Sequence, residues 1–369
     1  MASIYLHIPF CRRICGYCDF FKSARLDKLN RVVGAMMSEL ESERGRLSTP
    51  KISTIYFGGG TPSLLSVEQV GAFIIRIGEL YDVSKVDEIT LEANPDDLTQ
   101  EYLEGLRSVG VNRLSIGIQS FDDEELKFMN RRHNAEQAEQ AVKWAREVGF
   151  ENIAIDLIFG VSGFGEEVLT RSLDRAIKLD VEHIAAYHLT IEEGTAFGRK
   201  AKRGEMSPVD EELSEREYDI VRRRLTEAGF EHYEISNFAR EGRRSRHNSA
   251  YWRGEEYLGI GAGAHSFFQN ERRWGRESID EYLEDERYEG ETLTPEQRRN
   301  EVIMTSLRCA EGLDLTNFEL LFGKSECEKV INDAKLSLKL GDLKLVENRL
   351  VIPHERFLRS DTIIELLFN

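Results

Sequence analysis

Ser3-Ile4-Tyr5-Leu6-His7-Ile8-Pro9-Phe10-Cys11-Arg12-Arg13-Ile14-Cys15-Gly16-Tyr17-Cys18 begins as an apolar run and ends in three cysteines spaced C-x3-C-x2-C. Ser3–Ile8 reads as a first β-strand, which places the thiols on the loop at its C-terminal end. Three thiolates from one loop can hold three irons of a [4Fe–4S] cube and leave the fourth iron without a protein ligand. Two other chemistries use the same atoms. Zinc needs a fourth ligand, for which His7 or Asp19 could serve. Cys15 and Cys18 alone satisfy the C-x2-C spacing of a redox pair. The cube is the reading that accounts for three thiols in one loop, and its open iron marks a site that binds something further.

Further strands follow at Ser53–Phe57, Glu88–Glu92, Arg113–Ile118, Asn152–Phe159 and His183–Leu189. Helical periodicity lies between them near Leu26–Arg46, Val67–Leu80, Gln100–Val109, Ala135–Val148 and Glu167–Leu179. Repeated β-then-α units imply a parallel sheet with right-handed crossovers. Chemical motifs at the strand C-terminal ends favour a barrel whose site lies on that face. Six units are legible, so the expected fold is α/β: a partial (β/α)6 TIM-like barrel with a smaller C-terminal α+β, winged-helix-like region. The expected divisions are a barrel over 1–230, a barrel-closing segment over 231–294 and a helical unit with a hairpin over 295–369. The hairpin is Lys344–Val346, a turn at Glu347-Asn348, and Arg349–Ile352.

The chain has 369 residues and a formal net charge of −17, which argues against nucleic acid as a partner. No apolar run of about 18 residues signals a membrane span, and the first residues lack a signal-peptide pattern. Five cysteines are an odd number, and Cys309 and Cys327 lie far from the triplet, so a reducing cytoplasm is expected and a disulfide framework is not. Cys309 and Cys327 read as small buried hydrophobes.

Each strand end carries polar or glycine residues suited to a ligand. Gly58-Gly59-Gly60-Thr61-Pro62 follows the second strand; it lacks the Walker ending and reads as a backbone cradle for a carboxylate or amine. Glu92-Ala93-Asn94-Pro95 ends the third strand, and Gly117-Ile118-Gln119-Ser120-Phe121 ends the fourth. Glu92 can accept from a ribose diol or an ammonium, Gln119 can donate and accept, and Arg131 can pair with a carboxylate. Asp156, set in an apolar strand, needs a partner or a ligand.

Together these motifs resemble the radical S-adenosylmethionine superfamily, and within it the oxygen-independent coproporphyrinogen III oxidase group. The resemblance implies a [4Fe–4S] cluster on Cys11, Cys15 and Cys18, whose open iron chelates S-adenosylmethionine. It assigns Tyr5, Gly59, Gly60, Thr61, Glu92, Gln119, Arg131 and Asp156 to S-adenosylmethionine, with Tyr17 near the adenine. Two departures separate this chain from the oxidases: Phe20 stands where they carry a further cysteine, and the first strand starts where they carry an N-terminal extension. Gly160-Val161-Ser162-Gly163-Phe164 also lacks the group's usual proline and glutamine.

His247-Asn248-Ser249-Ala250-Tyr251-Trp252 is similar to a motif of the haem-chaperone branch of the same group. That resemblance implies haem as cargo, His247 as its ligand, and transfer to an acceptor protein. Tyr251 and Trp252 would pack on the macrocycle, and Arg243, Arg244 and Arg246 would pair with propionates. His265 is a second candidate ligand. An electron donor is expected if S-adenosylmethionine is cleaved, and membrane contact only peripherally, through the acceptor. The alternative is an enzyme that acts on a porphyrinogen. Phe20 and His247 distinguish the two, and no residue is assigned a catalytic role.

Overall fold

A computed structural model describes residues 1–284 and 288–368. The first strand, β1 (Ala2–Ile8), is buried on both faces, as a central parallel strand must be. β2 (Ile52–Gly59), β3 (Glu88–Ala93), β4 (Arg113–Gln119), β5 (Ile153–Phe159) and β6 (His183–His188) follow it in order, all parallel. Between them run α1 (Leu29–Ser42), α2 (Val67–Leu80), α3 (Gln100–Ser108), α4 (Asp123–Phe128), α5 (Ala135–Glu147) and α6 (Gly165–Lys178). Local chemistry sets their starts. Ser66 with Gln69 and Asn134 with Gln137 form reciprocal capping boxes at α2 and α5. The expected partial (β/α)6 barrel is the observed architecture.

Two faces of the sheet divide the labour. Ile4, Leu6, Ile55, Phe57, Leu91, Leu114, Ile116 and Ile155 point outward under the helices and are essentially inaccessible. The alternate residues line a concave inner face that is polar: Tyr5, Tyr56, Glu92, Arg113, Ser115 and Asp156.

The barrel is not closed by strands. α7 (Ala196–Lys202) and α8 (Glu211–Glu227) lead to the short β7 (Glu231–His232) and β8 (Asn237–Ala239), which extend the β6 edge antiparallel. After α9 (Arg246–Trp252), β9 (Tyr257–Ile260) adds a seventh parallel strand beside β1. β10 (His265–Phe268), β11 (Glu271–Gly275) and, beyond α10 (Ile279–Leu283), β12 (Tyr288–Thr292) continue outward antiparallel. The twelve-stranded sheet therefore runs from β12 to β7, with its ends unpaired to each other. Residues 231–294 thus extend both edges of the sheet, and α9 within them lies against the inner face. The Glu88 carboxylate accepts from the backbone N–H groups of Arg246 and His247 and pins that helix to β3.

The C-terminal unit comprises α11 (Pro295–Leu307), β13 (Leu313–Asp314), α12 (Leu315–Phe322), α13 (Lys324–Asp333) and the hairpin β14 (Lys344–Val346) to β15 (Arg349–Val351). Its three strands form a separate antiparallel sheet, ordered β13-β15-β14. Among the described residues no helix is long and apolar enough to cross a membrane.

Candidate functional site

The cysteine loop is pinned at both ends. Cys11 N–H donates to the Ser23 carbonyl at 3.0 Å, and Ser23 N–H returns to the Pro9 carbonyl at 2.7 Å, so the intervening residues leave and rejoin the sheet at one point. In its middle, Gly16 N–H donates to Met129 and the Gly16 carbonyl accepts from Phe197. A Cβ at Gly16 would stand 2.5 Å from the Phe197 ring, so this glycine is a packing requirement. Beneath the loop lies an apolar cushion of Leu126, Met129, Ile158, Val161, Leu189 and Phe197, with Tyr17 and Phe164 packed against it. The unusual Val161–Phe164 segment thus supplies part of the loop's floor. Phe20, by contrast, is 70% exposed.

Strand-end residues join two of the cysteines in one network. Thr61 Oγ1 donates to Cys11 Sγ at 3.4 Å and accepts from Asn94 Nδ2 at 3.3 Å. Asn94 Oδ1 accepts from Arg131 Nη2 at 2.7 Å, while Arg131 Nη1 donates to Cys15 Sγ at 3.2 Å. The same guanidinium holds the Gly117 carbonyl, and its buried Nε–H has no partner. Gly117 leaves room for the Gln119 amide and the Arg131 guanidinium on either side of it. Gln119 itself sits at φ 72°, a left-handed conformation that turns the tip of β4. Burial pushes the Cys11 thiol up to about 11 and the Cys18 thiol upward as well. Asn94 has no separate assignment from sequence, although it lies in the quoted motif; its bridging role appears only when the strand ends stand side by side.

The three glycines at the end of β2, Gly58 and Gly59 within it and Gly60 just past it, are demanded by the protein itself. A Cβ on Gly58 would meet Tyr5 and Tyr56 within 3 Å, one on Gly59 the His7 ring, and one on Gly60 the Phe10 backbone. Packing under the cysteine loop by itself therefore demands glycine at all three positions. Glu92 lies deeper, accepting from Tyr56 Oη at 2.7 Å and from Gly59 N–H at 3.1 Å. Burial, reinforced by the Asp156 charge, pushes Glu92 up to about 7. Burial likewise raises Asp156 to about 6, against the pull of Arg113 and a 3.4 Å hydrogen bond from Ser115. These two acids share with Arg113 an internal cavity of about 40 Å³, room for water but not for a nucleoside.

His7 is committed on both ring nitrogens. Nδ1 stands 3.0 Å from Tyr5 Oη and Nε2 3.2 Å from the Phe21 carbonyl, and burial lowers its pKa to about 4. It holds the far end of the loop and has no lone pair left for zinc. Asp19 is exposed and offers no buried fourth ligand to complete a closed zinc site. Three thiols on a pinned loop, with no fourth side-chain donor, suit a three-point attachment to a cube and not a closed tetrahedral zinc site.

His247 is held by the fold. Its ring is fully buried, with Nδ1 2.7 Å from Thr54 Oγ1 and Nε2 2.7 Å from Tyr251 Oη. Thr54 donates onward to Ser3, so the network assigns the proton to Nδ1 and leaves Nε2 accepting from Tyr251. Tyr56 stacks on the ring at 4.7 Å, and burial lowers its pKa to about 3. With both nitrogens hydrogen-bonded, the ring fastens α9 to β2 in this structure. Arg246 pairs with Asp87, and Arg244 with Glu231 and Glu311, so two of the three arginines already hold carboxylates. Arg243 is exposed. His265 opens β10 and acts electrostatically on His7, on the cysteine-loop side of the sheet and apart from α9.

Comparison with known proteins agrees with this geometry. The radical SAM superfamily model matches residues 5–176, and that of the HemN C-terminal domain residues 293–352. "Heme chaperone HemW" of Bacillus subtilis is 36% identical over 333 residues, 88% of each chain. Its counterpart in Mycobacterium tuberculosis H37Rv is 34% identical, covering all of this chain and 95% of its own. The structure of coproporphyrinogen III oxidase (HemN) from Escherichia coli superposes with a TM-score of 0.85 over 99% of this chain and 89% of that one, at 24% identity, which shows a shared fold. Membership of the superfamily implies a [4Fe–4S] cluster and S-adenosylmethionine. The chain belongs to the HemW family of the radical SAM superfamily.

Proposed function

We propose that this protein is a haem carrier on a radical S-adenosylmethionine scaffold, which binds haem and passes it to an acceptor protein. The observation that carries the reading is the likeness to haem chaperones along 88% of both chains. Cys11, Cys15 and Cys18 would hold the cluster. When bound, it would supply the open iron for the amine and carboxylate of S-adenosylmethionine and the electron that can cleave its sulfonium.

The chain's own residues suit that attachment. Arg131, set beside Cys15 with an unspent N–H, offers a guanidinium to a carboxylate. Gln119, Thr61 and the Gly59-Gly60 backbone would contact S-adenosylmethionine beside it, with Tyr17 near the adenine. Tyr5, Glu92 and Asp156 lie deeper and act as its polar floor, Tyr5 through His7 and Glu92 through Gly59. The haem acceptor, and the electron donor if cleavage occurs, are separate proteins in a reducing compartment.

The porphyrinogen-enzyme reading gains nothing comparable, since the likeness to the oxidase structure is one of fold. Anaerobically reconstituted protein is expected to bind haem and S-adenosylmethionine and to leave coproporphyrinogen III unchanged. Decarboxylated product would overturn the carrier assignment.

A further inference from the structure

The cysteine loop lies at the molecular surface. Arg12, Arg13 and Ile14 are exposed, Cys15 and Cys18 are partly accessible, and Phe20 is exposed just past the last thiol. A cluster on these thiols therefore stands close beneath one face of the protein. Electron transfer weakens steeply with distance, so a protein that reduces the cluster is best seated on this face. Its centre offers apolar surface: Phe20 and Ile14, the latter fixed by Asn130 Nδ2, which donates to its carbonyl at 2.7 Å.

Cations surround that centre. Arg13 Nη1 donates to the Arg131 carbonyl at 3.4 Å, and Lys22 Nζ donates to the Cys18 carbonyl. On α7, whose Phe197 packs against Gly16, Lys200 Nζ stands 5.7 Å over the Phe197 ring. Its neighbour Arg199 donates to the Gly194 carbonyl at 3.0 Å, beside Asp19. Among the described residues none of these four cations reaches a carboxylate at ion-pair distance. Each is engaged by a carbonyl or a ring instead. Against them stand Asp19 and Glu192, both exposed, while Asp97, Glu193 and Glu205 already hold Arg12, Lys202 and Arg203. The face thus carries excess positive charge in a chain whose net charge is −17. An acidic protein is repelled by the molecule as a whole and drawn to this patch around the cysteines.

We propose that Arg13, Lys22, Arg199 and Lys200, set around Ile14 and Phe20, form the docking surface for the electron donor, an acidic protein that carries a one-electron prosthetic group. The inference rests on the radical S-adenosylmethionine scaffold proposed above and gives its reductant a place. The donor gives up one electron and the cluster takes it, with no bond made or broken. The apolar centre supplies the contact that excludes water, and the cations set orientation and encounter rate.

The test mixes full-length, cluster-loaded protein with reduced flavodoxin, an acidic carrier of this class, and follows both cluster bleaching and complex formation by calorimetry. Association and reduction are expected to weaken severalfold as salt rises from ~0.05 to ~0.5 M. The triple variant Arg13→Glu, Arg199→Glu, Lys200→Glu is expected to bind flavodoxin, and to accept its electron, about tenfold or more less well. Phe20→Ser keeps every charge and is expected to weaken binding severalfold at low and high salt alike. Dithionite, a small reductant that needs no docking, should reduce all three proteins to the same extent, with iron content and melting temperature unchanged. Wild-type flavodoxin kinetics in the folded triple variant, or no salt-dependent complex with the wild-type protein, would overturn the docking assignment and leave the scaffold reading intact. Loss of self-association in the triple variant with flavodoxin binding unchanged would give the face to a second copy of the chain and overturn it equally. A wild-type cluster that dithionite cannot reduce would overturn the scaffold reading itself.

Discussion

Tyr251 Oη stands 2.7 Å from His247 Nε2, and the other ring nitrogen is equally close to Thr54 Oγ1, so the motif histidine is a clasp between helix and sheet. Removing it leaves the Tyr251 hydroxyl without its acceptor and Thr54 with only its bond to Ser3, in a cavity where the ring was packed; an unsatisfied hydroxyl alone costs about 1–3 kcal/mol. His247→Ala is therefore expected to lower stability by a few kcal/mol, read as a lower denaturant midpoint. Haem absorbance and affinity should persist in the folded fraction. A changed iron spectrum with unchanged stability would make the histidine a haem ligand instead.

The pH dependence of stability carries the mark of Glu92. Its folded value, about 7, lies above that of a free carboxyl, so the native state keeps a proton that the unfolded chain releases. Such a group contributes stability fully below its unfolded value, and that contribution fades as pH rises through the folded one. For Glu92 the window runs from the ordinary carboxylate range up to about 7. Glu92→Gln removes the titration. Chemical denaturation is expected to show the variant gaining on wild type by roughly 1–3 kcal/mol between pH 5 and pH 8. An offset that does not change with pH would show that the carboxyl ionises freely.

The six β/α units are legible in sequence because each couples a β-branched run to a helix with its own apolar stripe, as in Ile153–Phe159 followed by Gly165–Lys178. β9 and its neighbours are not, because their glycines answer to distant atoms. Gly259 is packed against the His265 carbonyl and Gly261 against the His7 carbonyl, so a segment that looks too irregular for a strand is one. The same distance effect hides much of the site. Thiol spacing announces the cysteine loop, but nothing local says that Val161 and Phe164 floor it or that Asn94 links Thr61 to Arg131. Residue type shows that His247 can ligate a metal; only its neighbours show that both nitrogens are spent.

Arg131 separates cluster attachment from S-adenosylmethionine binding. It touches Cys15 Sγ but lies outside the cysteine loop, so Arg131→Met should leave iron content intact while weakening S-adenosylmethionine about tenfold to a hundredfold. Arg131→Lys keeps the charge without the planar fork and is expected to fall between the two. Anaerobic equilibrium dialysis, paired with iron analysis, decides. Loss of iron in Arg131→Met would make this side chain part of the loop's scaffold.

The Gly16–Phe197 contact offers the sharpest test of how the loop is held. Alanine at position 16 would drive its methyl into the ring, and because Gly16 N–H and C=O both bond to other elements, the backbone cannot simply swing aside. The loop must shift, and with it Cys15 and Cys18 on either side. Gly16→Ala is expected to lower iron incorporation severalfold while the barrel stays folded, since its core lies elsewhere. Phe197→Leu alone leaves a modest cavity, costing about 1–3 kcal/mol. Combined with Gly16→Ala it makes room for the methyl, so the double variant should recover iron loading that the glycine substitution alone loses. That non-additivity is the expected sign of two side chains in direct contact. Iron loading in the double variant no better than in Gly16→Ala would mean that the glycine is needed for its backbone freedom and not for the ring beside it.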